Sequence, residues 1–202
     1  VSLKPGDRFV IRFYSPLLTI GGGIVLDPAP RKHKRMDNDV LAGLRIRETG
    51  TFLERLARIL EEESGAFQTI DRFALRLGAP VAKLRQNAGK LSDAGTLLDI
   101  GGDVWLHKSY VALILGRLTA LLESFHKENP LKGGMRREEL RARLLPNAPM
   151  TCADALLDHF LQTGVLKSEE GLLALKSFEV QFSAEQTALT DKIEVAYREA
   201  GA

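Results

Sequence analysis

The chain has 202 residues, is 45% hydrophobic and 27% charged, and carries a net charge of +2. No apolar run approaches the roughly 20 residues needed to cross a bilayer and no signal peptide opens the chain, so no membrane span is expected and the expected localisation is cytoplasmic. The lone cysteine, Cys152, excludes an internal disulfide framework and fits a reducing compartment. The charge is uneven: residues 1–47 carry nine Lys/Arg against four Asp/Glu, and the remainder carries 19 against 22. Any polyanion contact is therefore expected to be local. The chain starts at Val1 inside a strand-rich stretch, so it is expected to be a piece of something longer.

The first thirty residues read as β-structure. Arg8-Phe-Val-Ile-Arg-Phe-Tyr14 is rich in β-branched and aromatic residues and follows the turn signal Pro5-Gly6-Asp7. Ser15-Pro16 interrupts the run, and Ile24-Val-Leu26 is expected to resume it after Gly21-Gly22-Gly23. Prolines at 28 and 30 end strand pairing, because they lack a ladder donor. A basic connector, Arg31-Lys-His-Lys-Arg35, is expected to extend to residue 48.

Helical periodicity starts near Thr49. Phe52, Leu53, Leu56, Ile59 and Leu60 form one apolar face, ended by Ser64-Gly65. A short helix near Thr69–Leu77 and a third from Val81 to Ala94 follow, then strands at Thr96–Ile100 and Val104–His107 around Gly101-Gly102-Asp103. The same order recurs: helices near Tyr110–Glu128, Arg137–Leu144 and Thr151–Thr163, then strands at Val165–Ser168 and Leu172–Lys176. A shift of 69 positions superposes Gly95-Thr-Leu97, Gly102 and Leu106 on Gly164-Val-Leu166, Gly171 and Leu175 without a gap. Two units of three helices and a β-hairpin predict tandem winged helices at 49–108 and 109–178, in a mainly α chain with small β-hairpins. A helix over Ala184–Glu199, within 179–202, is expected to open a third.

The three glycines could cradle a phosphate or bend a sheet. A P-loop needs Lys-Ser/Thr after its last glycine, and a dinucleotide fingerprint needs a helix there. Gly23 is followed instead by Ile-Val-Leu, so the glycines are expected at a close strand bend. Phe9-Val-Ile-Arg12 with Thr19-Ile-Gly-Gly-Gly-Ile-Val25 resembles the closing strands of the third β-barrel of elongation factors of the Tu type. The longer string from Tyr14 to Pro28, the tandem winged helices and Phe125-His126…Asn129-Pro-Leu…Gly133 resemble the bacterial selenocysteine-specific elongation factors.

That resemblance implies a GTP-dependent factor delivering selenocysteinyl-tRNA to the ribosome at UGA codons marked by an mRNA hairpin. It makes residues 1–30 the end of the barrel, and it gives GTP and Mg to the parent protein. No GxxxxGK[ST] occurs here, so the chain is expected to hold no cofactor and to hydrolyse no GTP by itself. The mRNA hairpin would be held mainly by further C-terminal modules, leaving this part to link barrel and hairpin. Its expected partners are tRNA, mRNA hairpin and ribosome, with no membrane. The other reading is a tandem winged-helix transcriptional regulator or protein-interaction scaffold.

Catalytic and metal constellations are absent from the pattern. His33, His107, His126 and His159 lack ligand spacing, and Cys152 has no CxxC partner. RNA contact is the serious candidate. The connector cations Arg31, Lys32, Lys34 and Arg35 either lie near tRNA or form a solvated linker. Lys83, Arg85 and Lys90 share the first recognition helix with one acid, Asp93, and either meet RNA or form a solvated face. Asp154 and Asp158 make the second recognition helix a poor reader of phosphates, hence a spacer or protein-facing surface. Lys132, Arg136 and Arg137 form a smaller patch beside Gly133-Gly134. Arg12 enters only through the resemblance, in which the third barrel contributes to the tRNA surface. Trp105 could stack a base, but Val104-Trp-Leu106 reads as an inward-packed strand.

Overall fold

The computed structural model describes residues 3–30, 32–33, 37–180, 192–193, 195–196 and 198. The chain is mainly helical with small antiparallel sheets, as the pattern implied. It divides into two compact units, residues 1–113 with 148–152 and residues 114–147 with 153–202. Arg31, Lys34, Arg35 and most of the helix expected over Ala184–Glu199 lie outside the described residues; Lys192, Ile193, Val195, Ala196 and Arg198 of that helix are helical.

The first unit begins with strands β1 (Arg8–Arg12) and β2 (Thr19–Ile24), paired antiparallel from Arg8↔Ile24 to Arg12↔Thr19 with an irregularity after Ile11. The glycines are therefore not at the bend. They lie within β2, opposite Phe9, Val10 and Ile11, and the chain reverses at Phe13–Leu18, where Ser15-Pro16 is cis and the Phe13 amide donates to the Leu18 carbonyl at 2.9 Å. None of the three has a positive φ; what they supply is absence of bulk. A Cβ on Gly22 would stand 2.6 Å from the Phe9 carbonyl oxygen, and one on Gly23 would meet the Phe9 ring at 2.7 Å. β2 also stops at Ile24, because Val25 turns its hydrogen bonds to Gly6 and Asp7.

Residues 38–48 of the expected connector are helical. α1 (Asn38–Thr49) is capped by Asp37, whose carboxylate accepts from the Asp39 amide at 3.0 Å. Its signal was weak in the sequence because Leu41 and Leu44 are exposed and the residue it buries is Gly43. α2 (Phe52–Glu63) starts with a reciprocal capping box: Glu54 accepts from the Thr51 amide at 2.7 Å while Thr51 Oγ1 accepts from the Glu54 amide. A 3₁₀ turn (Ile70–Phe73) leads into α3 (Ala74–Leu77), and α4 (Val81–Asp93) precedes strands β3 (Leu97–Asp99) and β4 (Trp105–His107). Leu56, Ile59, Leu60, Ile70, Phe73, Leu84, Ala88 and Leu97 form the core, with Trp105 packed against it rather than projecting.

Asp27 ties this unit together. Its carboxylate, 6% exposed, lies 2.7 Å from Arg76 and 3.3 Å from Arg47, and accepts from the Ala29 amide at 2.9 Å. Arg76 continues to Glu63 at 2.9 Å, and Arg47 to Glu62 at 2.5 Å. Burial pushes the Asp27 pKa up, but the Arg76 and Ala29 hydrogen bonds and the two guanidinium charges outweigh it, and the group ends below its ordinary value.

α5 (Lys108–Glu128) leads into the second unit, where β5 (Met135–Arg136), α6 (Arg137–Leu144), α7 (Met150–Gln162), β6 (Leu166–Glu169) and β7 (Leu172–Leu175) follow. The sheet order is β5-β7-β6; the short β5, which the pattern did not reveal, pairs Met135 with Leu173. The first unit has the same feature in miniature, a bridge between Thr69 and Val104. α4 and α7 are each 13 residues long and start 69 positions apart, so the repeat seen in the sequence is a repeat of structure. The hairpins differ: β6 and β7 turn through Glu170-Gly171, both at positive φ, whereas Gly101, Gly102 and Asp103 all adopt positive φ in the longer first turn.

Ile114, Leu118, Leu122, Met135, Leu140, Leu156, Leu157, Phe160, Leu166 and Leu173 are buried in the second unit. His126 is buried beside them and stacks on Phe178 at 3.6 Å between ring centroids, with neither ring nitrogen hydrogen-bonded. Desolvation, helped by Lys167, lowers its pKa.

Two outcomes are expected. Gly22→Ala should speed amide hydrogen exchange across β1 and β2, while Gly21→Ala, whose Cβ meets nothing within 4 Å, should not; equal effects would remove close approach as the reason for the glycines. Asp27→Ala should destabilise the first unit by about 3 kcal/mol, since it leaves two largely buried guanidinium groups short of a partner. Urea titration followed by the fluorescence of Trp105, the sole tryptophan, reads this directly.

Candidate nucleic-acid interface

The two helices read as recognition helices in the sequence, α4 and α7, carry their charges differently from what residue counts suggest. Arg85 on α4 is engaged by Asp103 at the tip of the first hairpin: its Nε lies 3.0 Å from both carboxylate oxygens. Asp103 reaches it from a left-handed turn position (φ 60), a conformation that Asp tolerates better than most residues. The hydrogen bond and charge of Asp103 raise the Arg85 pKa. The acid opposing this helix is thus Asp103, 18 residues away, and not Asp93 alone. Lys83 places its Nζ 4.5 Å over the Phe52 ring, and Lys90 is exposed.

On α7, Asp154 and Asp158 are paired from α6. Arg141 Nη1 donates to both Asp154 oxygens at 2.9 Å, and Arg137 is hydrogen-bonded to Asp158. That hydrogen bond, with the charges of Asp158 and Asp154, raises the Arg137 pKa against a smaller effect of burial. The helix expected to repel phosphates through two bare carboxylates is therefore charge-compensated, and Arg137 is committed to that compensation. Composition could not show this, because the partners come from a different helix.

Among the described residues, Arg12, Lys32, Lys90 and Arg136 are exposed and make no ion pair. Arg12 closes β1 opposite Thr19, and Arg136 lies on β5 opposite Leu172. Lys132 lies 5.9 Å from the Phe125 ring centroid. These cations divide between the two units: Arg12, Lys32, Lys83, Arg85 and Lys90 belong to the first, and Lys132, Arg136 and Arg137 to the second. Two residues the sequence reading passed over also matter. Asp103 quenches Arg85, and Arg55 on α2 has a buried Nε without a hydrogen-bond partner. Among the described residues no group of three or more His, Cys, Asp or Glu could hold a metal ion, and no helix is long and apolar enough to cross a membrane.

Known proteins give this geometry a context. Residues 119–175 match the family model described as elongation factor SelB, winged helix. The selenocysteine-specific elongation factor of Desulfomicrobium baculatum is 28% identical over 210 aligned positions, which cover 97% of this chain and 31% of that protein. The chain thus spans under a third of its relative's length. Among solved structures, the mRNA-binding domain of elongation factor SelB from E. coli, in complex with SECIS RNA, is similar with a TM-score of 0.43 and 13% identity, over 59% of this chain and 96% of that one. The resemblance carried by the glycine-bearing hairpin and the repeated helical units is borne out: this chain is similar to a selenocysteine-specific elongation factor along 97% of its length, and its residues 119–175 match the SelB winged helix.

Proposed function

We propose that this chain is the part of a GTP-dependent, selenocysteine-specific elongation factor that joins its tRNA-holding barrel to the end that holds the mRNA hairpin. The observation that carries this reading is the similarity to such a factor along 97% of the chain. On it, residues 1–30 are barrel strands, 49–108 and 109–178 are winged helices, and 179–202 begin another. GTP and Mg²⁺ belong to the remainder of the parent, which delivers selenocysteinyl-tRNA to the cytoplasmic ribosome at UGA. The β1–β2 hairpin supports the barrel assignment: Val10, Phe13, Leu18, Ile20 and Ile24 are all more than half exposed, and an isolated two-stranded hairpin is marginal at best. The transcriptional-regulator reading is not favoured, since the relatives are translation factors.

RNA contacts then fall first to the cations that nothing neutralises: Arg12, Lys32, Lys90, Lys132 and Arg136, with Arg31, Lys34 and Arg35 of the connector. Neutralising Arg31, Lys32, Lys34 and Arg35 in the full-length factor should weaken tRNA binding, and the log–log salt slope should shrink by about one unit per lost phosphate contact. Changing Lys83, Arg85 and Lys90 should matter less for tRNA. Filter binding across a salt series decides it, and an unchanged slope for the connector variant would make that segment a solvated linker.

A second measurement addresses α4. Asp103→Asn releases Arg85, so the chain's affinity for single-stranded RNA at low salt should rise a few-fold in fluorescence anisotropy, and Arg85→Gln added to it should cancel the gain. If neither change moves the affinity, α4 does not face RNA.

A further inference from the structure

A cleft of about 390 Å³ lies within the first unit, where Pro5-Gly6 and the end of β2 meet α2, α3 and the start of α4. Four cations line it: Arg47, Arg55, Arg76 and Lys83. Two are already engaged, since Arg47 and Arg76 share Asp27 and continue to Glu62 and Glu63. Arg55 is not. It makes no side-chain hydrogen bond or ion pair among the described residues, and its Nε is buried with no acceptor. A guanidinium has five N–H donors and no acceptor of its own, and buried donors of this kind ordinarily find a partner.

Lys83 lines the same cleft as Arg55, one on α4 and the other on α2. Its ammonium rests over Phe52, which holds a cation only weakly at an exposed site, and no carboxylate pairs with it among the described residues. Of the two acids on the wall, Asp27 is shared by two arginines; Glu48 is exposed and makes no ion pair among the described residues. The cleft therefore presents two uncommitted cations against one solvent-facing carboxylate.

We propose that this cleft is an anion site that takes a phosphate group, with Arg55 as the forked donor and Lys83 as the opposing point charge. A planar guanidinium matches two oxygens of a tetrahedral phosphate, and an ammonium on a flexible stem closes on a third. The volume exceeds what a bare phosphate ion needs, and Pro5, Phe52 and Leu77 give it apolar walls, so the phosphate arrives attached to a nucleoside. The site itself stands apart from the function proposed above; only an RNA strand as the source of the phosphate rests on that reading.

Calorimetry on the whole chain tests it with three probes in turn: inorganic phosphate, a 5′-mononucleotide, and a short single-stranded RNA. Saturable phosphate binding is expected. Arg55→Gln and Lys83→Gln should each weaken it about tenfold, the usual loss when one charge-assisted hydrogen bond is removed. Glu48→Gln should tighten it two- to threefold, roughly what removing one exposed opposing charge yields. Arg143→Gln, in the second unit and paired with Glu139, should change nothing. Because Lys83 and Glu48 are exposed, those variants report even if Arg55→Gln disturbs folding. Competition of RNA with phosphate supports an RNA backbone as the source, and binding of the mononucleotide without RNA competition supports a free nucleotide. No saturable phosphate binding, or binding indifferent to all three cleft variants, overturns the site. A tRNA-binding defect of the connector variant is unaffected by either result, so failure here and failure of the proposed function are read separately.

Discussion

The first unit depends on a single carboxylate held away from water. Asp27 follows the last residues of the hairpin; its Oδ2 is shared by Arg76 from α3 and Arg47 from α1, and its Oδ1 accepts from the Ala29 amide. An unpaired carboxylate at 6% exposure would be strongly unfavourable; with two guanidinium groups and a backbone amide it stays ionised. Each arginine then reaches a second acid on α2, so hairpin, α1, α2 and α3 are joined by one chain of charge. Arg58 extends it from α2 back to Asp39 at 2.7 Å and to Glu62 at 2.9 Å. Hydrophobic burial holds the helices of this unit to one another, whereas the hairpin, whose apolar residues are largely exposed, is held chiefly through its ends. Breaking one partner of such a network costs more than the network adds over an apolar replacement, so what the charges contribute is a defined geometry.

The same use of charge explains why recognition helices cannot be judged by counting acids and bases. On α4 a wing residue turns inward to neutralise an arginine; on α7 a neighbouring helix supplies arginines that neutralise acids. Both units thus pair recognition-helix charges with partners from another element, fully for Asp154 and Asp158 on α7 but only for Arg85 on α4, where Lys83 and Lys90 make no ion pair among the described residues. Their hairpins account for part of the difference: the longer first turn carries Asp103 to Arg85, and the tight Glu170-Gly171 turn places no acid on α7.

Periodicity in the sequence located α2, α4, α6 and α7 to within about two residues, because each carries its apolar residues on one face that is buried. It failed for α1, which is helical through its Asp37 cap and its arginine pairs and leaves its leucines exposed. It failed also for β5, since two residues are too few to show alternation. The glycines were correctly taken from phosphate chemistry to strand packing, but their place in the strand was not readable, because what demands them is the Phe9 backbone and ring on the partner strand. For the site the sequence showed which residues are cationic. Which of them remain free depends on pairs 13 to 49 residues apart, such as Arg141 with Asp154 and Arg76 with Asp27, and no local pattern encodes these.

His126 has a thermodynamic consequence of its own. Stacked on Phe178 with neither nitrogen hydrogen-bonded among the described residues, it packs as a flat aromatic surface, and burial disfavours its charged form. Its folded pKa lies below the ordinary value near 6.5 that an unfolded chain would show, so the unfolded state takes up the proton first. The second unit is at full strength above that value and gives up free energy as the pH descends from it to the folded pKa. Through proton linkage, a buried aromatic ring thus ties the strength of its own unit to pH, as His107, likewise lowered by burial, does in the first unit.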